Sequence, residues 1–351
     1  MGVIYSYPYY LAIPLKQYSM QINILRDYTF PDLLHQTPGN NGEWNNFKFN
    51  LDQGGRCDFA IVLNKVKSPI TVECPPQNIW SITQEPPTEN LKFLHKGTPV
   101  YHKIFTQDSS LKGARYINCQ PALPWHVNKS YDELVRLNIP KKDTKISWVT
   151  SNKTNLKGHR QRMKFCSILK TKMDFDLFGN GFNYIPDKWD AIAPYKYSLA
   201  IENFRNEYYW SEKISDCYLS WTMPIYYGCS RITEYFPKES LILISDLNDV
   251  EGIVDQIQTS ISKDRWKTNL EAIEYARNLV LNQYQLFPMI ANLITAWGTM
   301  NGAISNLHKE EIIIPPLKIP SLSFAKRTKL AFHRRIVRFQ NYLDKNGFTF
   351  R

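Results

Sequence analysis

Apolar residues fall along this chain in short, nearly continuous runs separated by polar, Gly- and Pro-bearing stretches. Residues 58–64 (DFAIVLN), 78–83 (NIWSIT) and 101–106 (YHKIFT) have strand length and end at polar or turn-forming residues. Runs of this kind read as buried strands of a parallel sheet. After a polar joint at 140–143 a second series opens with a strand at 145–150 (KISWVT), a helix at 156–172 and a strand at 174–178 that ends in Gly179-Asn180-Gly181. A strand at 197–201, a helix starting at Ser211, a strand from Met223 to Gly228 and a strand at 239–245 (ESLILIS) follow, and helical periodicity marks 249–263 and 268–286. No repeat of solenoid period is present. Strands alternating with helices in two series predict an α/β protein of two doubly wound lobes facing across a cleft.

Composition fits that picture. A chain of 351 residues can bury two cores, and 43% apolar with 21% charged content describes a folded protein. Aromatic content of 14% is high; it serves aromatic cores and surface tyrosines, or stacking on sugars and bases in the loops. Six cysteines without a Cys-x-x-Cys pair argue against a zinc site or a disulfide framework and fit a reducing compartment. No apolar run has the length of a bilayer span, and residues 3–15 are broken by Pro8 and Pro14 without a basic leader. Met1-Gly2 with Ser6 spells a myristoylation pattern in a generic context, and the sequons at Asn128 and Asn152 matter only in a secretory lumen. These features place the protein in the cytoplasm, at most peripheral on a membrane.

The net charge of +11 is uneven. Residues 322–351 hold eight basic side chains against Asp344 alone, leaving +4 for the other 321 residues. Phe332, Ile336, Phe339 and Leu343 share a helical face from which Arg334, Arg335 and Arg338 are excluded. Such a basic amphipathic tail either lies on anionic lipid headgroups or docks on its own protein. No nucleic-acid module accompanies it, so nucleic acid is not an expected partner. The expected division is an acceptor-side lobe at 1–143, a nucleotide-sugar-binding lobe at 144–315 and the basic tail at 316–351.

The richest segment is 195–246, which runs YKYSLAIENFRNEYYWSEKISDCYLSWTMPIYYGCSRITEYFPKESLILISD. An apolar strand stops on Glu202 and Asn203; an aromatic loop, Glu207 to Trp210, leads to Ser211-Glu212-Lys213 at a helix start; Pro224-Ile225 and Gly228 mark the next strand. This pattern resembles the alpha-1,3-fucosyltransferases of glycosyltransferase family ten, with Ser211 where Thr is usual. The resemblance extends over about 76–250. It implies the GT-B fold of two Rossmann-like lobes, a GDP-fucose donor, a glycan acceptor such as a lipopolysaccharide or glycolipid chain, no cofactor and no metal. The implied reaction is inverting transfer of fucose, alpha-1,3 to an N-acetylglucosamine- or glucose-type residue. Transfer from another nucleotide sugar, or an inactive membrane-associated glycan-binding protein, are the alternatives.

Such a transfer needs positive charge on the departing diphosphate and a base for the acceptor hydroxyl. Lys213 sits in a helix's first turn, where backbone N–H groups also favour an anion. Arg162 lies in SNKTNLKGHRQRMKFCSIL, which resembles the family's Ser-Asn, loop, Arg-x-x-aromatic motif; the family's arginine contacts the pyrophosphate, and Arg160 is the adjacent alternative. By the same resemblance Glu212 partners sugar hydroxyls, and Asn203 and Tyr209 contact the donor, with Tyr208 and Trp210 able to exchange roles with Tyr209. Ser211 and Glu212 also suit plain helix capping. Glu85, in Gln84-Glu85-Pro86-Pro87 after a strand, is the implied base, with Glu89 next. Asp174-Phe175-Asp176 spells a metal motif inside a strand and is read as chance. His159, beside the arginines, is at most an auxiliary phosphate contact.

Overall fold

The structure, a computed structural model, describes residues 19–301 and 307–318. The myristoylation pattern and the basic tail lie outside these residues.

In chain order the first strands are Met20–Arg26 (β1), Glu43–Trp44 (β2), Phe47–Leu51 (β3), Gly55–Arg56 (β4), Phe59–Leu63 (β5), Ile70–Cys74 (β6), Ile79–Ile82 (β7), Lys103–Thr106 (β8) and Tyr116–Asn118 (β9). Among the described residues seven of them, all but β4 and β6, build a sheet of order β2-β3-β1-β5-β7-β8-β9, parallel except for the short β2 edge. Every residue of β5 and β7 is buried, as expected of strands covered on both faces. The expected strands at 58–64, 78–83 and 101–106 are β5, β7 and β8.

The second series gives Asp143–Val149 (β10), Asp176–Phe178 (β11), Tyr195–Ile201 (β12), Met223–Tyr227 (β13) and Ile242–Leu243 (β14), a wholly parallel sheet of order β11-β10-β12-β13-β14. Helices Lys157–Leu169, Glu212–Leu219 and Val250–Ser262 pack their apolar faces onto it. The strand expected at 239–245 shrinks to β14, because Lys238–Ser240 turns as a 3-10 helix. Asp174 lies before β11, not within it, and Asp176 accepts a hydrogen bond from the Tyr195 hydroxyl at 2.8 Å.

The end of the chain departs from the expected division at 315. The helix Leu270–Leu279 gives way to a wide π turn, Val280–Tyr284, and a new helix, Leu286–Asn301, returns to the first lobe. Its Leu286, Phe287, Ile290 and Ile294 are buried with Ile22, Phe49 and Trp80 of the first sheet. Glu310–Ile314 (β15) then pairs antiparallel with β6 in a small third sheet. Among the described residues the lobes are therefore joined by two crossings, at 119–142 and at 280–286.

Three buried glutamines hold these crossings together. Gln36 exchanges hydrogen bonds with the Trp125 backbone (2.9 and 3.2 Å), Gln120 donates to the Tyr284 carbonyl (2.9 Å), and Gln285 donates to the Gln36 carbonyl (3.2 Å). An amide both donates and accepts, so it can satisfy irregular backbone that no sheet or helix would.

Candidate active site

The site lies where the strands of both parallel sheets end, the edge at which doubly wound folds place ligands. Beyond β12, Glu202 is 2% exposed and its oxygens are both paired: Oε1 accepts from Ser211 Oγ (2.5 Å) and Oε2 from Lys213 Nζ (2.8 Å). Ser211 caps the Glu212–Leu219 helix through the Lys213 N–H. The capping role foreseen for Ser211 holds, and the same hydroxyl ties the helix start to the strand end.

Glu212 turns the other way. Its Oε1 meets Lys188 Nζ at 3.2 Å and His126 Nδ1 at 3.9 Å, and Lys188 also binds the fully buried Asp216 at 3.0 Å. Burial acts to raise the Glu212 pKa, but Lys213, Lys188 and His126 outweigh it and hold the carboxyl well below its ordinary value. Burial likewise acts against the charge of Lys188, and Asp216 with Glu212 overcomes it, leaving the ammonium pKa raised. Glu202, Lys188, Asp216 and His126 were not among the residues singled out from sequence. Only the Glu-Asn pair at 202–203 carried a signal for the first; the others come together only through the fold.

Arg162 is 4% exposed on the Lys157–Leu169 helix, and its guanidinium meets Ser151 alone, at 3.3 Å to the carbonyl and 3.5 Å to the hydroxyl. No carboxylate lies within ion-pair distance of it among the described residues, and its Nε is buried without a hydrogen-bond partner. Arg160 instead points outward and donates to the Thr154 carbonyl. Burial lowers the Arg162 pKa, with Glu202 and Glu212 acting against it from further away.

Asn203 stands beside it. Its Nδ2 donates to His159 Nε2 (3.0 Å), whose Nδ1 in turn donates to Asn155 Oδ1 (2.6 Å). That chain requires a neutral imidazole; burial, then Arg162 and Lys153, push the His159 pKa down to about 4. The role of His159 is thus to orient Asn203. Asn203 Oδ1 is buried without a partner. The close approach depends on Gly158, where a Cβ would stand 1.7 Å from the Asn203 carbonyl oxygen.

The aromatic loop sorts its three rings. Trp210 is 1% exposed and packs edge-on against Tyr235, Phe236 and Tyr284. Tyr208 turns outward under Arg231, whose Nη1 donates to its hydroxyl at 3.1 Å. Tyr209 is buried near Glu202, Glu212 and Glu85; burial first and these carboxylates second raise its pKa, so it remains a neutral phenol. Asn206 fixes the loop by accepting from the Tyr208 and Tyr209 N–H groups and donating to the Gln107 carbonyl of the first lobe at 2.7 Å.

From that first lobe, Glu85 follows β7 as an exposed residue, close enough to Glu212 and Lys213 for their charges to act on it. Surrounding protein and then Glu212 raise its pKa, while Lys213 draws it back. Glu89 lies four residues on, in the exposed approach to the Lys92–Lys96 helix. Arg162, Asn203, Tyr209, Glu212 and Lys213 are thus brought to one rim, with Glu85 within electrostatic reach of Tyr209, Glu212 and Lys213.

Two lobes, each built on a parallel sheet, have the GT-B arrangement of paired Rossmann-like units. Residues 139–269 match the family model "Glycosyltransferase family 10 (fucosyltransferase) C-term". The alpha-(1,3)-fucosyltransferase FucT of Helicobacter pylori is 32% identical over 78 residues, 22% of this chain and 16% of that protein. The human 4-galactosyl-N-acetylglucosaminide 3-alpha-L-fucosyltransferase 9 is 29% identical over 115 residues, 31% of each chain. The chain therefore spans less than a third of the length of these curated relatives. A solved alpha1,3-fucosyltransferase with GDP-fucose aligns with a TM-score of 0.43 at 15% identity, over 80% of this chain and 97% of that one.

Proposed function

We propose that the protein transfers L-fucose from GDP-fucose to a glycan hydroxyl with inversion at the anomeric carbon. The observation that carries this reading is the pairing of a buried arginine that lacks a carboxylate partner with a buried amide oxygen that lacks a donor. A buried charge left without a counter-ion is costly, so the Arg162 position favours an anion brought by a ligand. A diphosphate supplies that anion and a sugar hydroxyl supplies the donor for Asn203 Oδ1.

In this reading Arg162 and Lys213 take up the charge that develops on the departing diphosphate, aided by the start of the Glu212–Leu219 helix. Glu212, Asn203 and Tyr209 hold hydroxyls of the nucleotide sugar. Glu85 accepts the proton of the acceptor hydroxyl as its oxygen bonds to the anomeric carbon, and the carbon–oxygen bond to the diphosphate breaks on the opposite face. The charge work falls to side chains, without a metal or cofactor. The human relative's name supports a galactosyl-N-acetylglucosaminide, or a lipopolysaccharide or glycolipid chain bearing such a residue, as acceptor, fucosylated at the 3-hydroxyl. The lobe of β1–β9 serves the acceptor and that of β10–β14 the donor. Six free cysteines support a reducing compartment such as the cytoplasm.

The test is calorimetry with GDP. Wild type should bind it, and Arg162→Ala should weaken binding about tenfold or more while leaving the fold intact. Equal affinities would remove the reading.

A further inference from the structure

We propose that Phe30 is a stacking platform for the acceptor, receiving the apolar face of a β-linked hexopyranose beside Glu85. This rests on the reading of Glu85 and Glu212 as opposite sides of a transferase cleft. Phe30 is 68% exposed, and single exposed aromatic rings are common on proteins. What separates this ring from that background is its support and its position.

Its loop leaves the carboxyl end of β1 and is pinned at several points. Arg26 Nη1 reaches the Pro31 carbonyl at 3.5 Å while its Nε is held by Asp52 at 3.0 Å. Asp27 pairs with Lys65 at 3.3 Å. The Tyr28 hydroxyl donates to Gln84 Oε1 at 2.7 Å, and Gln84 is the residue before Glu85. The ring is thereby fixed relative to the candidate base through two short links of chain.

On its other side the ring meets His126 edge-on, with centroids 5.3 Å apart and planes at 61°. His126 Nδ1 in turn lies 3.9 Å from Glu212 Oε1. An open aromatic surface is therefore tied on one side to the residue before the candidate base and on the other, through His126, to the carboxylate that would hold the donor. The ring offers an incoming sugar an open apolar face beside these polar and charged groups. Hexopyranoses with equatorial hydroxyls present a face of C–H groups that packs on an aromatic ring while their hydroxyls point to the rim. Burying such a ring on binding is the kind of contact that dominates recognition energy.

The test uses the full chain as wild type, Phe30→Ala and Phe30→Trp, with the methyl β-glycoside of N-acetyllactosamine as probe. Calorimetry should give the same GDP affinity for all three. Initial rates should show the acceptor KM of Phe30→Ala raised about tenfold, kcat within about twofold, and Phe30→Trp near wild type. Saturation transfer from protein to the disaccharide reads the contact without turnover, and should be lost in Phe30→Ala and kept in Phe30→Trp. Equal transfer in all three proteins, or none in any, overturns the platform. Failure of wild type to bind GDP would remove the donor reading instead and leave saturation transfer to judge Phe30.

Discussion

The Glu202 carboxylate and the Lys213 ammonium are 2.8 Å apart, and Ser211 donates to the remaining Glu202 oxygen. The lysine proposed to face the diphosphate is thus positioned by a buried carboxylate ten residues before its own helix begins. Glu202→Gln preserves shape but removes the counter-charge and the second strong acceptor. It should cost about 3 kcal/mol of stability and lower kcat/KM for the donor at least about tenfold. Denaturant melts and donor-dependent rates check both; an unchanged donor kcat/KM would show that Lys213 is placed without it.

The raised pKa of Glu85 makes a prediction with a sign. As base it must be ionised, so activity should fall as pH drops through a value above the ordinary 4.5. Glu212 contributes to the rise, so Glu212→Gln should move this acid limb of the kcat/KM profile to lower pH. A limb that stays in place would break the link between the two carboxylates.

The same shift bears on stability. A carboxyl whose folded-state pKa exceeds its unfolded one destabilises the fold once pH rises above the unfolded value, fully above the folded one. Glu85→Gln should therefore melt slightly higher than wild type at pH 7, with the gain fading as pH falls towards 4.5 and absent below it, while turnover is lost. Thermal melts across pH read this directly.

Gly158 should tolerate no side chain. A methyl there would need the Asn203 backbone to move by more than an ångström. Gly158→Ala is expected to cost about 3 kcal/mol and to weaken GDP binding by misplacing Asn203. A melting temperature equal to wild type would contradict the contact.

Phe287 tests the return of the chain to the first lobe. It is fully buried and edge-on to Phe49 at 5.0 Å, so Phe287→Ala should cost about 3–5 kcal/mol. The loss should appear in the first lobe's hydrogen-exchange protection, although the residue follows the whole of the second sheet in sequence.

Much of this was legible before the fold was seen, where one pattern governed one element. The apolar runs became β5, β7, β8, β10, β12 and β13 because strands covered on both faces have no solvent side to alternate with. β1 and β3 were not singled out, because Gln21, Asn23 and Asn50 interrupt their apolar character; in the fold Asn50 donates to both Gln21 and Asn23 across the pair. The helix Leu286–Asn301 was missed because it is apolar on nearly all sides and carries Pro288 in its first turn, where proline is tolerated. At the site, family-like spacing marked Arg162 and Lys213. It could not show that Lys188 and Asp216 complete the charge balance, because that pairing joins residues 28 positions apart.

The glutamine clasp has a mechanical consequence. Both connecting segments pass through it, so the lobes share one pivot, not two separated straps that would resist rotation. Gln107, which takes the Asn206 amide, also donates to the Cys119 carbonyl, one residue from Gln120, so this bridge too sits near the axis where rotation moves atoms least. Such a molecule can part its jaws to admit a bulky ligand while its internal layers stay whole.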